Sequence, residues 1–259
     1  MTKLDRLIQI LCAERGENAP VLSDLSDREK GRCFRALVNV RSPKAASKEF
    51  LQLQDEYLQE QLQLKGITDI SELLPSPIDP ELYLWQGDIT TLKCDGIVNA
   101  ANSQMLGCFC PNHGCIDNAI HTFAGVQLRL ECARIMEAQG KEEPTGQAKI
   151  TSGYNLPCKY VLHTVGPIVF GKLNEKHEKL LADCYRACLV LADKNGLHSL
   201  AFCCISTGEF RFPNERAAEI AIQTVTEYKR QTQSKIKVIF NVFKDNDYEI
   251  YSRLLKADR

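Results

Sequence analysis

The stretch GCFCPNHGCIDNAIH, residues 107–121, concentrates side chains that bind metals. Cys108, His113 and Cys115 follow a C-x4-H-x-C spacing. Thiolate and imidazole are ligands that suit zinc. Three donors on one short loop can reach a common point, and Pro111 limits the freedom of that loop. Cys110 decides the type of site. If it joins, the site is Cys3His, closed and structural. If it stays out, three protein ligands leave a place open, as catalytic zinc sites do. The spacing is compatible with either arrangement, and with no metal.

Other chemistry-bearing residues lie close by. Asp117 and His121 are four apart, one turn along a helix that begins near Ile116. A carboxylate in a first turn is stabilised by the helix dipole even without a function. ISTGEF, residues 205–210, follows an apolar run. Ser206, Thr207 and Gly208 are small enough for backbone N–H groups to approach a phosphate, with Glu209 beside them. Gly87-Asp88, before Ile89, reads as a turn at a strand end.

These residues need a scaffold, and the elements around them supply one. Short apolar runs at 82–86, 95–101, 160–165, 199–206 and 237–243 read as strands. The unbroken ones suit a sheet covered on both faces. Helical patterns lie between them: from about Ile116 to Ala138, around Leu181 to Leu191, from about Glu215 to Arg230, and in the tail DYEIYSRLLK. This alternation implies an α/β sandwich with a largely parallel sheet, whose ligands sit beyond the strand carboxyl ends. The loops that carry chemistry all follow such ends, so they meet on one rim. Before this region, residues 1–74 read as a helical extension. Leu4, Leu7, Ile8 and Leu11 share a face of a first helix. Ser26 with Glu29 forms a capping-box pattern for a second. Pro43 opens a third, with Phe50, Leu53 and Tyr57 on one face and Gly66 at its end. LLPSPIDP, residues 73–80, marks a linker or a boundary before a second unit at 75–259.

Composition narrows the class. A chain of 259 residues, 44% hydrophobic and 25% charged, is ordinary globular material. A net charge of −1 argues against a nucleic-acid-binding surface, which is usually basic, but not against an anionic small ligand held by backbone N–H groups. No signal peptide is read in MTKLDRLIQILCAERGE, and no run of about 18 apolar residues occurs. Most of the twelve cysteines, including Cys12, Cys33, Cys132, Cys184, Cys188, Cys203 and Cys204, sit in apolar or helical contexts. They read as buried thiols in a reduced, cytoplasmic protein.

Taken in order, GDIT (87–90), DGIVNAAN (95–102), CIDNAIHTFAG (115–125), GQAKITSGYNLP (146–157), VLHTVGP (161–167) and ISTGEFRFP (205–213) resemble the macrodomain family. The likeness spans roughly residues 80–255. It implies a three-layer α/β/α sandwich with a mixed, largely parallel sheet, here with an N-terminal helical extension. It also implies binding of ADP-ribose, which many members remove from proteins. Many macrodomains carry a glycine run where this chain has GCFCPNHGC. That departure resembles the zinc-dependent branch, whose ligands match Cys108, His113 and Cys115 and do not require Cys110. The branch also tends to have a helical extension and a glutamate at the position of Glu209. Some members are linked to a sirtuin-type ADP-ribosyltransferase and a lipoyl-carrier protein.

Carried over residue by residue, the resemblance places Asp88 and Ile89 at the adenine, and Asn102 and Asp117 near the distal ribose. The backbone of Cys115, Ile116 and Asp117, with that of Ser206, Thr207, Gly208, Glu209 and Phe210, would clasp the diphosphate and riboses. Asp117, Glu209 and Asn102 become the expected catalytic residues, while His121 packs behind the site. The expected activity is zinc-dependent hydrolysis of mono-ADP-ribose from protein side chains, at the distal ribose anomeric carbon. The rival readings are an ADP-ribose-binding module, an O-acetyl-ADP-ribose deacetylase with structural zinc, and, more remotely, a thiol-redox protein using the C-x-C at 108–110.

Overall fold

Three helices open the chain: α1 (Lys3–Glu14), α2 (Asp27–Val40) and α3 (Lys48–Lys65) in a computed structural model that describes residues 1–256. The last three residues of the expected 75–259 unit lie outside the described residues. Thr2 and Asp5 form a capping box for α1, and Ser26 and Glu29 form the expected one for α2. In both, the hydroxyl and the carboxylate satisfy backbone N–H groups that a helix start leaves unpaired. Helix α3 starts later than expected. Ser47 caps it by accepting from the Phe50 amide, and Pro43 lies in the preceding loop. Gly66, at φ 82°, ends it. The apolar faces of these helices close on one another through Leu7, Ile8, Leu11, Phe34, Phe50 and Leu58.

A short ladder, β1 (Thr68–Asp69) with β4 (Leu92–Lys93), follows beside the main sheet. The proline-rich 73–80 segment does not run free of the sheet. It forms β2 (Pro75–Ser76), which pairs antiparallel with β3 (Asp79–Gln86) at one edge of the main sheet. An edge strand tolerates proline because its outer N–H side needs no partner.

The remaining elements are β5 (Gly96–Ala101), α4 (Ile116–Ala124), α5 (Val126–Gln139), β6 (Ala148–Ser152), β7 (Tyr160–Val165), α6 (Glu175–Lys194), β8 (Ser199–Phe202), α7 (Asn214–Thr232), β9 (Lys237–Val242) and α8 (Asp245–Leu255). The seven strands lie in the order β2-β3-β9-β8-β5-β7-β6. The five inner strands run parallel, and β2 and β6 are reversed at the two edges. Helices α4 and α5 pack together, α6, α7 and α8 form a second group, and the sheet lies between them. Its core includes Val98, Leu162, Leu181, Tyr185, Leu200 and Ile239, all without solvent contact.

Two further expectations change. Strand β8 ends at Phe202, so residues 203–206 already belong to the following loop. The single helix expected from Ile116 to Ala138 is two, broken at Gly125 with φ 97° and ψ 170°. A Cβ at Gly125 would lie 2.6 Å from Gln54 Nε2 and from Gln127 Oε1. The break lets the Gln54 side chain of α3 accept a hydrogen bond from the Val126 amide at 2.9 Å.

Candidate functional site

Because β3, β9, β8, β5 and β7 are parallel, their carboxyl ends share one edge of the sheet. The loops leaving them meet there. Gly87 donates to the Val242 carbonyl, and Val169 donates to the Phe210 carbonyl. Gly166 approaches Ser206 so closely that a Cβ would lie 2.0 Å from its Oγ.

The loop between β5 and α4 brings Cys108, His113 and Cys115 together, with one donor atom of each within 4.8 Å of the others. Cys108 Sγ lies 3.6 Å from His113 Nδ1. Cys110 is exposed and stands outside this cluster. Gly107, at φ 79°, admits the chain into the loop against the His121 ring, where a Cβ would lie 2.8 Å from Cγ. Asn112 adopts the left-handed conformation at φ 55°. Cys115 is also the N-cap of α4, its sulfur accepting from the Asn118 amide at 3.4 Å. Burial, and then the neighbouring Cys108 and Asp117, push the Cys115 thiol above its ordinary value. Two sulfurs and an imidazole, half-buried and this close, fit a zinc ion.

Asp117 is not a cap. It points inward from the first turn of α4, is nearly fully buried, and accepts at 2.8 Å from Asn99 Nδ2 on β5. Burial pushes its carboxyl up to about 6, against the pull of Asn99 and Arg129. The same Asn99 amide lies 3.1 Å from His163 Nδ1. His121 Nε2 is 3.5 Å from Asp117, but neither ring nitrogen has a hydrogen-bond partner. Burial first, then His163 and Arg129, hold His121 far below its ordinary value, so the contact is not an ion pair.

Glu209 reaches the metal loop from across the rim: its Oε1 lies 3.6 Å from His113 Nε2, and its side chain is 75% exposed. Its loop is strained at Ser206, φ 66°, and at Arg211, φ 58°. The carbonyls of Ser206, Gly208 and Phe210 accept from Phe212, Arg211 and Val169, while Thr207 bonds back to Cys204. Asn102 braces the entry to the metal loop, accepting from the Gln104 and Met105 amides and donating to the Gly107 carbonyl.

Asp88 lies at the far side of the rim. Burial works against its charge, yet bonds from Thr90 and Lys65 keep its carboxyl below its ordinary value. Lys65, from the end of α3, is 2.9 Å from Asp88 Oδ2. Ile89 is buried, and its carbonyl accepts from the Leu92 amide in the turn that follows. Phe243 stands 75% exposed after β9, where the sequence pattern merges it into a strand.

Residues 98–221 match the model of the Macro domain family. A protein named protein-ADP-ribose hydrolase from Treponema medium is 53% identical, over 98% of this chain and 100% of its own length. One of the same name from Staphylococcus aureus strain MSSA476 is 48% identical over 99% and 96%. The solved Trypanosoma brucei macrodomain in complex with ADP-ribose superposes with a TM-score of 0.66 and 32% identity, covering 85% of this chain and 94% of that one. The chain belongs to the macrodomain family.

Proposed function

We propose that this chain is a zinc-dependent hydrolase that removes mono-ADP-ribose from modified protein side chains, cleaving at the distal ribose anomeric carbon. The observation that carries the reading is the meeting of Cys108, His113 and Cys115 with Glu209 at the parallel-strand rim, beside buried Asp117. The names of the two bacterial relatives support the substrate class. Asp88, with Ile89, receives the adenine, and exposed Phe243, which follows the Val242 carbonyl that accepts from Gly87, offers it a ring face. The amides of Cys115, Ile116 and Asp117 open a helix, whose first N–H groups suit an anion. The inward-turned carbonyls of the Ser206–Phe210 loop leave Thr207, Gly208, Glu209 and Phe210 to frame the diphosphate from the other side.

Cleavage of this bond passes through an oxocarbenium-like state, which needs nearby negative charge and a placed water. Asn102 shapes the loop at the distal ribose, and Asp117 supplies charge beneath it. Glu209, exposed and acceptor-only when ionised, orients the attacking water and takes its proton. Cys108, His113 and Cys115 would hold the zinc, which would supply Lewis acidity at the distal ribose when bound. The same chemistry would serve a modified lipoyl-carrier protein charged by a sirtuin-type transferase, and that pair is the first substrate system to present.

The test is release of ADP-ribose from modified protein by zinc-loaded, chelated and zinc-restored chain. Activity should vanish with the metal and return with it. Cys110→Ala should keep both zinc and turnover, because Cys110 stands outside the cluster. Equal turnover by folded, metal-free protein contradicts the reading. Binding without release makes the chain a reader, and faster deacetylation of O-acetyl-ADP-ribose moves the substrate.

A further inference from the structure

The eight residues of the metal loop, 108–115, contain no helix or strand, and Asn112 holds a left-handed conformation. Such a loop does not gather three donors unaided; something must fix its backbone. The neighbouring element that does so is α2, from the N-terminal extension. Arg35 and Asn39 are four apart on that helix and so share a face. Arg35 Nη2 donates to the His113 carbonyl at 3.1 Å. Its Nε and Nη2 also donate to Asn118 Oδ1, at 3.1 and 2.7 Å. Asn118 in turn donates through Nδ2 to the Cys110 carbonyl at 3.0 Å. Asn39, almost fully buried, accepts from the Asn112 amide at 3.0 Å. Its Nδ2 donates to Thr122 Oγ1, which bonds the Asn118 carbonyl. The backbone at Cys110, Asn112 and His113 is thus tied, directly or through Asn118, to one helix face. The arginine fork matters because a planar guanidinium holds two acceptors in a fixed relation.

We propose that α2 is a working part of the metal site, with Arg35 and Asn39 as positioning residues that hold the loop in the shape that gathers Cys108, His113 and Cys115. The inference rests on the zinc reading above. The extension is then a brace that the metal-binding loop needs.

The test uses the full chain and three variants: Arg35→Ala, Arg35→Lys, which keeps charge but loses the fork, and Asn39→Ala. Arg6→Ala is the control. It breaks an exposed pair with Glu49 between α1 and α3 and leaves the loop untouched. Zinc affinity is measured by competition with a chromophoric chelator, and ligand geometry by the visible spectrum of the cobalt-substituted protein. Far-UV circular dichroism checks folding. Loss of support around a metal ligand weakens binding by roughly 10–100-fold. That loss is expected for Arg35→Ala and Arg35→Lys, with altered cobalt bands, and a smaller loss for Asn39→Ala. Arg6→Ala should match the wild type. Folded Arg35→Lys with wild-type affinity and cobalt spectrum overturns the inference, as does an equal loss in Arg6→Ala. If Arg35→Ala does not fold, the other two variants decide. A wild-type chain that takes up no zinc overturns the zinc reading and this inference with it, whereas zinc uptake indifferent to Arg35 overturns this inference alone.

Discussion

His163 lies inside the sheet with no solvent contact, its Nδ1 3.1 Å from Asn99 Nδ2 and its Nε2 2.8 Å from Thr151 Oγ1. Since the Asn99 amide nitrogen can only donate, Nδ1 is the acceptor and Nε2 carries the proton toward Thr151. Burial lowers the ring to about 3, from an ordinary 6.5. As pH falls, the unfolded chain therefore takes this proton first. The stability that neutral His163 contributes is complete above pH 6.5 and is lost as pH drops through 6.5 toward 3. Within that window each pH step of one costs about 1.4 kcal/mol, so acidifying from pH 6.5 to 4.5 should remove about 2–3 kcal/mol through this group. His163→Gln is expected to be less stable at pH 7 yet to lose less on acidification, read from denaturant midpoints at the two pH values. An unchanged slope contradicts the buried neutral ring. The candidate metal cluster was legible in the chain because its three donors fall within eight residues. Asn99, Arg35 and Asn39 were not. Their partners lie 18 to 83 positions away, and an asparagine or arginine gives no sign of what it will meet.

Gly125 decides how α4, α5 and α3 fit together. At φ 97° and ψ 170° it occupies a region that essentially only glycine enters, and residues held there cost about 1–3 kcal/mol. Gly125→Ala adds a clash with Gln54 and Gln127. The melting temperature is expected to fall by roughly 5 °C, since about 1 kcal/mol moves a chain this long by about 2–4 °C. A melt within a degree of wild type would show that the backbone relaxes without cost. The break was hidden because IDNAIHTFAGVQLRL keeps its apolar positions in step across the glycine. Elsewhere local chemistry was explicit: the Ser26–Glu29 box and the Gly66 stop stand where pattern put them, and so do the apolar inner strands apart from the early end of β8 at Phe202. The edges were less readable. Pro75 and Pro80 look like a linker until β9 lies beside β3, and AKITS is too short and mixed to announce β6.

The described residues carry two separate apolar cores, one in the N-terminal helices and one around the sheet, and Phe123 packs against both. Between them run polar ties rather than a continuous oily seam: Gln54, Asp55 and Gln59 of α3 reach Val126, Gln127 and Asn155, and Arg35 and Asn39 reach the metal loop. No helix among the described residues is long and apolar enough to cross a membrane. The twelve thiols are sorted by this architecture: seven are buried, four are half-buried, and Cys110 is exposed. Burial raises Cys12, Cys33 and Cys204 as well as the deep ones, which slows their reaction. A maleimide dye at neutral pH should therefore couple once per chain, at Cys110. Chelation should expose two more sulfurs, Cys108 and Cys115, so mass spectrometry of the adducts would count occupancy directly. The lone outward sulfur then becomes a built-in attachment point for a fluorescent reporter that watches substrates arrive and leave.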